Sequence, residues 1–209
     1  LLSELVQRHH ENKQHFPTEF LVGAAEDKRT KSLATLVSKA DKLSSSERGK
    51  DSEQYQDYRD TPLATVLERV NRVGEEENLH SRLHAKPISV PPSLDIIFPS
   101  EFANYERNEL NEHITGFGKD FSRAFRDSAP NIVDTTDFAC LVTHTYTLLY
   151  QYAWCIPSNT QEVFPDVSLF DHLKTTAAIA SCLYLYHSAE GTLTEEEIRQ
   201  ARDKRFCLV

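Results

Sequence analysis

The sequence has 209 residues, 39% hydrophobic and 26% charged, with 32 acidic against 23 basic side chains and a net charge of -9. That length suits one ordinary domain, which can bury a core without disulfide or metal staples. The acidic balance disfavours a chain that coats nucleic acid by itself, since phosphate binding needs a basic surface. No apolar run reaches membrane-spanning length, so no membrane partner is expected. Methionine is absent and the first residue is Leu1, from which the chain is expected to be a piece of a longer one. Four cysteines, Cys140, Cys155, Cys182 and Cys207, form no CxxC pair and sit in apolar stretches. They are expected to be buried reduced thiols of a cytoplasmic protein rather than zinc ligands or disulfides. None lies beside an obvious base, which leaves little for a thiol nucleophile.

Taken in chain order, the hydrophobic pattern is helical. Leu2, Leu5, Val6, His9 and His10 follow helical spacing, and so do Leu33, Leu36, Val37, Ala40 and Asp41. Leu63, Val66, Leu67, Val70 and Val73 make a third stripe, with Thr61 as N-cap and Pro62 at the first helical position. Residues 85–100 carry four prolines and read as an extended connector. Residues 101–127 predict one or two amphipathic helices, and 134–153 a strongly apolar one ended by Pro157. Asp166-Val167-Ser168 opens a long helix to about Tyr186. A short charged helix follows over 194–203, capped by Thr194 with Glu195, Glu196 and Glu197 in its first turn, where the helix dipole favours them. The tail from Arg205 to Val209 is β-like. With only six glycines and neither GxGxxG nor GxxxxGK[ST], a turn-rich β fold and a phosphate loop are both disfavoured.

Three places set ionisable groups on otherwise apolar helical faces: the pair His9-His10, then Asp41, then His172 after Asp171. A carboxylate at the edge of a core is costly unless it is paired, hydrogen-bonded or coordinating a metal. One reading is that these residues converge on one or two divalent metals, where imidazole and carboxylate together suit Mn, Fe, Co, Ni or Zn rather than Mg. The other is that Asp41 caps or bridges a neighbouring helix and the histidines are satisfied core residues. His15, His80, His84 and His113 lie in polar surroundings and read as solvated, while His144 and His187 lie on apolar helices and are secondary candidates.

Longer strings sharpen this. Residues 40–48, Ala-Asp-Lys-Leu-Ser-Ser-Ser-Glu-Arg, resemble the ADxLSxxER signature of the large subunit of type III CRISPR effector complexes, particularly the Csm class. Tyr58 to Leu63 are similar to the run that follows that signature. Ile156-Pro157-Ser158-Asn159-Thr160, followed by Asp166 to Ala180, resembles the family's IPSxT and DVSLxDHxxTTAAIA segment. The polar stretch 75–130 is similar only in character.

The resemblance implies an all-α, circularly permuted HD-type phosphohydrolase domain over residues 1–203, with 75–130 a variable insertion. Residues 204–209 would begin the first strand of a palm (cyclase-like) domain absent from this chain. It implies His9 and His10 as the family's HH pair, Asp41 as the closing carboxylate and His172 as the displaced first histidine. Asp41 and His172 would be catalytic, and all four would be ligands of two divalent ions, Mn, Co, Ni or Fe rather than Mg. The family's His-Asp doublet is expected before residue 1, because Asp171-His172 runs in the reverse order and does not replace it. The implied activity is metal-dependent cleavage of single-stranded DNA, with other effector subunits and guide RNA as partners. The parent protein is expected to make cyclic oligoadenylates through domains not contained here. A catalytically silent HD scaffold that docks other subunits, or a phosphohydrolase acting on nucleotides, remain open alternatives.

Overall fold

The computed structural model describes residues 5, 8–11, 17–45, 61–65, 81–82, 100–101, 107–128, 135–160 and 165–200. Among them the chain is mostly helical, which agrees with the expected all-α class. Two 3-10 turns, Thr18–Phe20 and Val22–Ala24, precede helix α1 (Lys28–Ser44). A two-residue antiparallel pair follows, β1 (Ser81–Arg82) with β2 (Ser100–Glu101), in which Ser81 faces Glu101. Then come α2 (Arg107–Ser128), α3 (Thr135–Ala153), α4 (Leu169–Ala189) and α5 (Glu195–Gln200). The chain divides into two compact units, Leu1–Arg48 with Leu173–Val209, and Gly49–His172; the division falls inside α4.

In the first unit α1 starts at Asp27, whose carboxylate accepts the Thr30 amide at 2.9 Å and also the Thr30 hydroxyl. The face that α1 buries is not the predicted apolar stripe. Leu36 and Ala40 are buried as expected, but Leu33 and Val37 are half-exposed, while Thr30, Ser32, Ala34, Thr35 and Ser38 are buried. Small hydroxyl side chains can take that face because they bond to the preceding turn. The Ser32 hydroxyl donates to the Lys28 carbonyl at 2.9 Å and that of Thr35 to the Lys31 carbonyl at 2.8 Å. Against α1 lie Ile179 and Leu183 of α4 and Ile198 of α5, forming one core with Leu36 and Ala40. The hydroxyls of Ser44 and Thr176 meet at 2.8 Å at its edge.

Helix α4 ends in a left-handed Gly191 (φ 66°), after which the Thr192 amide bonds back to the His187 carbonyl at 2.9 Å. His187 is buried there, 2% exposed, with Nδ1 at 2.9 Å from the Thr192 hydroxyl. Burial, and then the charge of Lys39, hold its pKa below the usual histidine value, against the opposing pull of Thr192 and Glu197. Neutral His187 therefore favours the folded state. Its contribution is complete above the unfolded pKa near 6.5 and is lost as pH falls from there toward the folded value. His187→Gln is expected to flatten the loss of thermal stability between about pH 6.5 and pH 5, and equal slopes in parallel thermal melts would refute that role.

In the second unit α2 packs on α3. The Tyr152 hydroxyl donates to the Asp120 carboxylate, and burial followed by that bond pushes the phenol pKa up to about 12. Phe117 stacks on the same ring at a centroid distance of 5.2 Å. Cys155 and Ile156 form a small core with Ile114, Trp154 and Leu169. The turn after α3 is fixed by Pro157, which pairs with Ser168 as an isolated bridge.

Several expectations are corrected. Residues 61–65 are not the first turn of a helix: all five are buried, and the Ala64 amide donates to the Pro165 carbonyl at 2.9 Å. The rest of that stripe, most of the 85–100 connector and the tail 201–209 lie outside the described residues. Cys155 is buried as expected, but Cys140 and Cys182 are exposed on their helices. Both precede a leucine in sequence yet point away from the packed face, a distinction that local composition does not carry. The apolar helix α3 also leaves Phe138, Val142, Tyr146 and Tyr150 about half-exposed.

Candidate metal centre

His9 and His10 do not continue a helix. Residues 8–11 are non-helical, and His10 forms an isolated parallel bridge with Leu21. The Val22 amide donates to the His10 carbonyl at 2.9 Å. In a helix that carbonyl would instead be aimed along the axis at the amide four residues on. The bridge turns the two imidazoles toward one another, with ring centroids 4.0 Å apart and planes tilted by 42°. Both rings are half-buried. Burial lowers the His10 pKa first, and the charge of His9 lowers it further, while the nearby Asp41 carboxylate pulls the other way. His10 is thus biased toward the neutral imidazole, the form that can ligate a metal.

Asp41 stands in the last turn of α1, half-buried rather than sunk in the core. Its backbone is tightly held. The carbonyl accepts the Ser45 amide at 3.1 Å and the hydroxyls of Ser44 and Ser45, each at 2.8 Å. The carboxylate itself sits at the helix end where the macrodipole is negative, which disfavours an acid.

Glu11, next to the histidine pair, is a functional neighbour that sequence periodicity did not single out. One of its oxygens accepts from Lys42, the residue after Asp41, and the other from Arg199 of α5. Partial burial pushes the Glu11 carboxyl up, but hydrogen bonds and attraction from Lys42 and Arg199 outweigh it, so its pKa lies below the ordinary carboxylate value. The triplet His9-His10-Glu11 followed by the doublet Asp41-Lys42 was the available signal.

His172 belongs to the second unit, in the first turn of α4, and is half-buried. That turn is shaped by a reciprocal cap. The Ser168 hydroxyl accepts the Asp171 amide at 3.0 Å and donates to the Asp171 carboxylate at 2.7 Å. Asp171 is therefore engaged in the helix start.

The secondary candidates do not join this group. His144 is exposed on α3, and His187 serves the end of α4. His15, His80 and His84 fall outside the described residues, as does the His113 side chain. Among the described residues, no three His, Cys, Asp or Glu side chains are gathered as a set that could hold a metal ion. The donor types of His9, His10 and Asp41 fit a transition metal, but the described residues alone do not complete a shell.

No protein-family model and no solved structure matches the chain. Comparison with curated proteins places it in the large-subunit family of type III CRISPR systems, and the chain belongs to that family. The relative is the CRISPR system single-strand-specific deoxyribonuclease Cas10/Csm1 (subtype III-A) of Methanocaldococcus jannaschii, 33% identical over 178 residues. The match takes in 76% of this chain but only 20% of that protein's length. No helix among the described residues is long and apolar enough to cross a membrane.

Proposed function

We propose that this chain is the nuclease part of a type III CRISPR large subunit, an HD-type, circularly permuted domain that cuts single-stranded DNA with divalent metal. The observation that carries this reading is the His9-His10 pair, rings 4.0 Å apart, with Asp41 close enough to act on His10. The relative is a single-strand-specific deoxyribonuclease, which supports the substrate class. His9, His10 and Asp41 would hold the metal from the first unit. His172 is assigned to the same centre by the family resemblance, as is a His-Asp doublet outside this chain. A bound divalent ion in such a centre lowers the pKa of its water and stabilises charge on the phosphodiester. Burial biases His10 toward the neutral form, while the chain presents a carboxylate from the end of α1 and fixes the histidine segment by its bridge to Leu21.

The net charge of -9 fits a domain that receives its strand from partners rather than capturing it. Those partners would be the other effector subunits and guide RNA, with cyclic oligoadenylate synthesis placed in other domains of the parent protein. A silent HD scaffold is the second reading, and the acidic balance of the chain favours it. The two separate in one assay: full-length protein with labelled single-stranded and duplex DNA, in Mn, Co or Ni and in chelator. Metal-dependent cleavage confined to the single strand is expected. Absent cleavage overturns the nuclease and leaves the scaffold, and cleavage that persists in chelator overturns the metal centre.

A further inference from the structure

We infer that Glu11 and Arg199 form a positioning link that holds the His9-His10 segment against α1 and α5. The inference rests on the reading of His9 and His10 as ligands only for its functional meaning; the mechanical claim stands on the ion pairs themselves.

The charges alternate along an unbroken path. Lys42 donates to one oxygen of Glu11, and Arg199 donates through a terminal guanidinium nitrogen to the other. The Arg199 Nε reaches Glu195 at 3.1 Å, and the second Glu195 oxygen lies 3.3 Å from the Lys31 ammonium. Lys31 and Lys42 are both on α1, separated by about three turns, so they share one helix face. The path therefore leaves α1 near its start, crosses α5, passes through Glu11 and returns to α1 beside Asp41. Glu11 is its least exposed link, with 22% of the side chain accessible against 43% for Arg199 and 63% for Lys42.

α5 is itself anchored from below. Ile198 is fully buried, and the Lys39 ammonium donates to the Ile198 carbonyl at 3.1 Å. Arg199 thus projects from a seated support, and Glu11 ties the histidine segment to it. One exposed ion pair is worth little, but connected pairs of good geometry are the case in which such links count. On the other side, the segment is held by its bridge to Leu21, through the Val22 amide bond to the His10 carbonyl. Arg199 is 188 residues from Glu11 in sequence, so the C-terminal helix takes part in placing an N-terminal histidine pair.

The Val22 amide reports directly on whether His10 stays docked. Hydrogen–deuterium exchange of the peptide Leu21–Ala25 would be followed by mass spectrometry in the full-length protein, with chelator present so that no metal contributes. Glu11→Gln and Arg199→Ala are each expected to speed that exchange about fivefold, as loss of a partly exposed link in a local opening would. Arg199→Lys is expected to restore it, and exchange around Leu183 in the α4 core is expected to stay unchanged. High salt should reproduce the effect in the unaltered protein. Unchanged Leu21–Ala25 exchange in both variants, or an equal rise around Leu183, would overturn the link. Because the readout is metal-free, a failure of the nuclease assay with a positive exchange result would sink the proposed function and leave this inference standing.

Discussion

An Asp41→Ala protein is expected to lose metal-dependent cleavage of single-stranded DNA by about a thousandfold, the scale of the several kcal/mol that a metal contributes to charge stabilisation. Its stability is expected to stay the same or to rise by up to about 0.5 kcal/mol, because Ala is the better helix former. The contrast follows from where Asp41 sits. It occupies the last turn of α1, half-buried, at the helix end that repels a carboxylate. The backbone bonds that shape this turn use the Asp41 carbonyl, not its side chain, and Ala keeps them. A residue placed at a local cost to its helix, beside an imidazole pair, is better explained by the site than by the fold. Chemical denaturation and cleavage rates measured on the same preparation decide the matter. A variant that loses stability in step with activity would make Asp41 a structural residue and return the scaffold reading.

Ile198→Ala is expected to carry the largest stability cost, about 2–4 kcal/mol, from lost burial plus the cavity left behind. Ile198 is fully buried among Leu36, Ala40, Ile179 and Leu183. It is the buried residue of a six-residue helix, a length that does not persist in water without tertiary packing. Truncating it should release α5, and with it the Arg199 link to Glu11. The expected result is a lower urea midpoint together with fast exchange throughout residues 195–200. A cost under about 1 kcal/mol would mean that α5 is held by its ion pairs rather than by Ile198.

Much of the helical framework was legible because caps and periodicity acted together. Ser168 opens α4, and the Thr194 hydroxyl accepts the Glu197 amide at 3.3 Å to open α5, both where the sequence places them. What escaped depends on partners distant in sequence. His9 and His10 match a helical stripe with Leu5 and Val6, yet the bridge to Leu21 takes them out of a helix. Ser32 and Thr35 carry polar side chains and are buried, since a hydroxyl bonded to its own helix loses little by leaving water. Thr61 and Pro62 carry helix-start chemistry, but the strand-like contact of Ala64 with Pro165 prevails. Within the candidate site, the residue types and the unfavourable setting of Asp41 were readable from spacing. The common assignment of His9, His10, Asp41 and His172 came from the family resemblance. Glu11 was marked in the sequence only by its place beside the histidine pair, because its partner Arg199 lies far away in the chain.

His9, His10 and Asp41 of the first unit are proposed to hold a divalent metal, and the most direct measurement is the anomalous scattering of Mn in crystals of the full-length protein. Density for Mn bonded to His9, His10 and Asp41 is expected, and its loss in Asp41→Ala. Manganese bound away from these side chains, or none at saturating concentration, would contradict it.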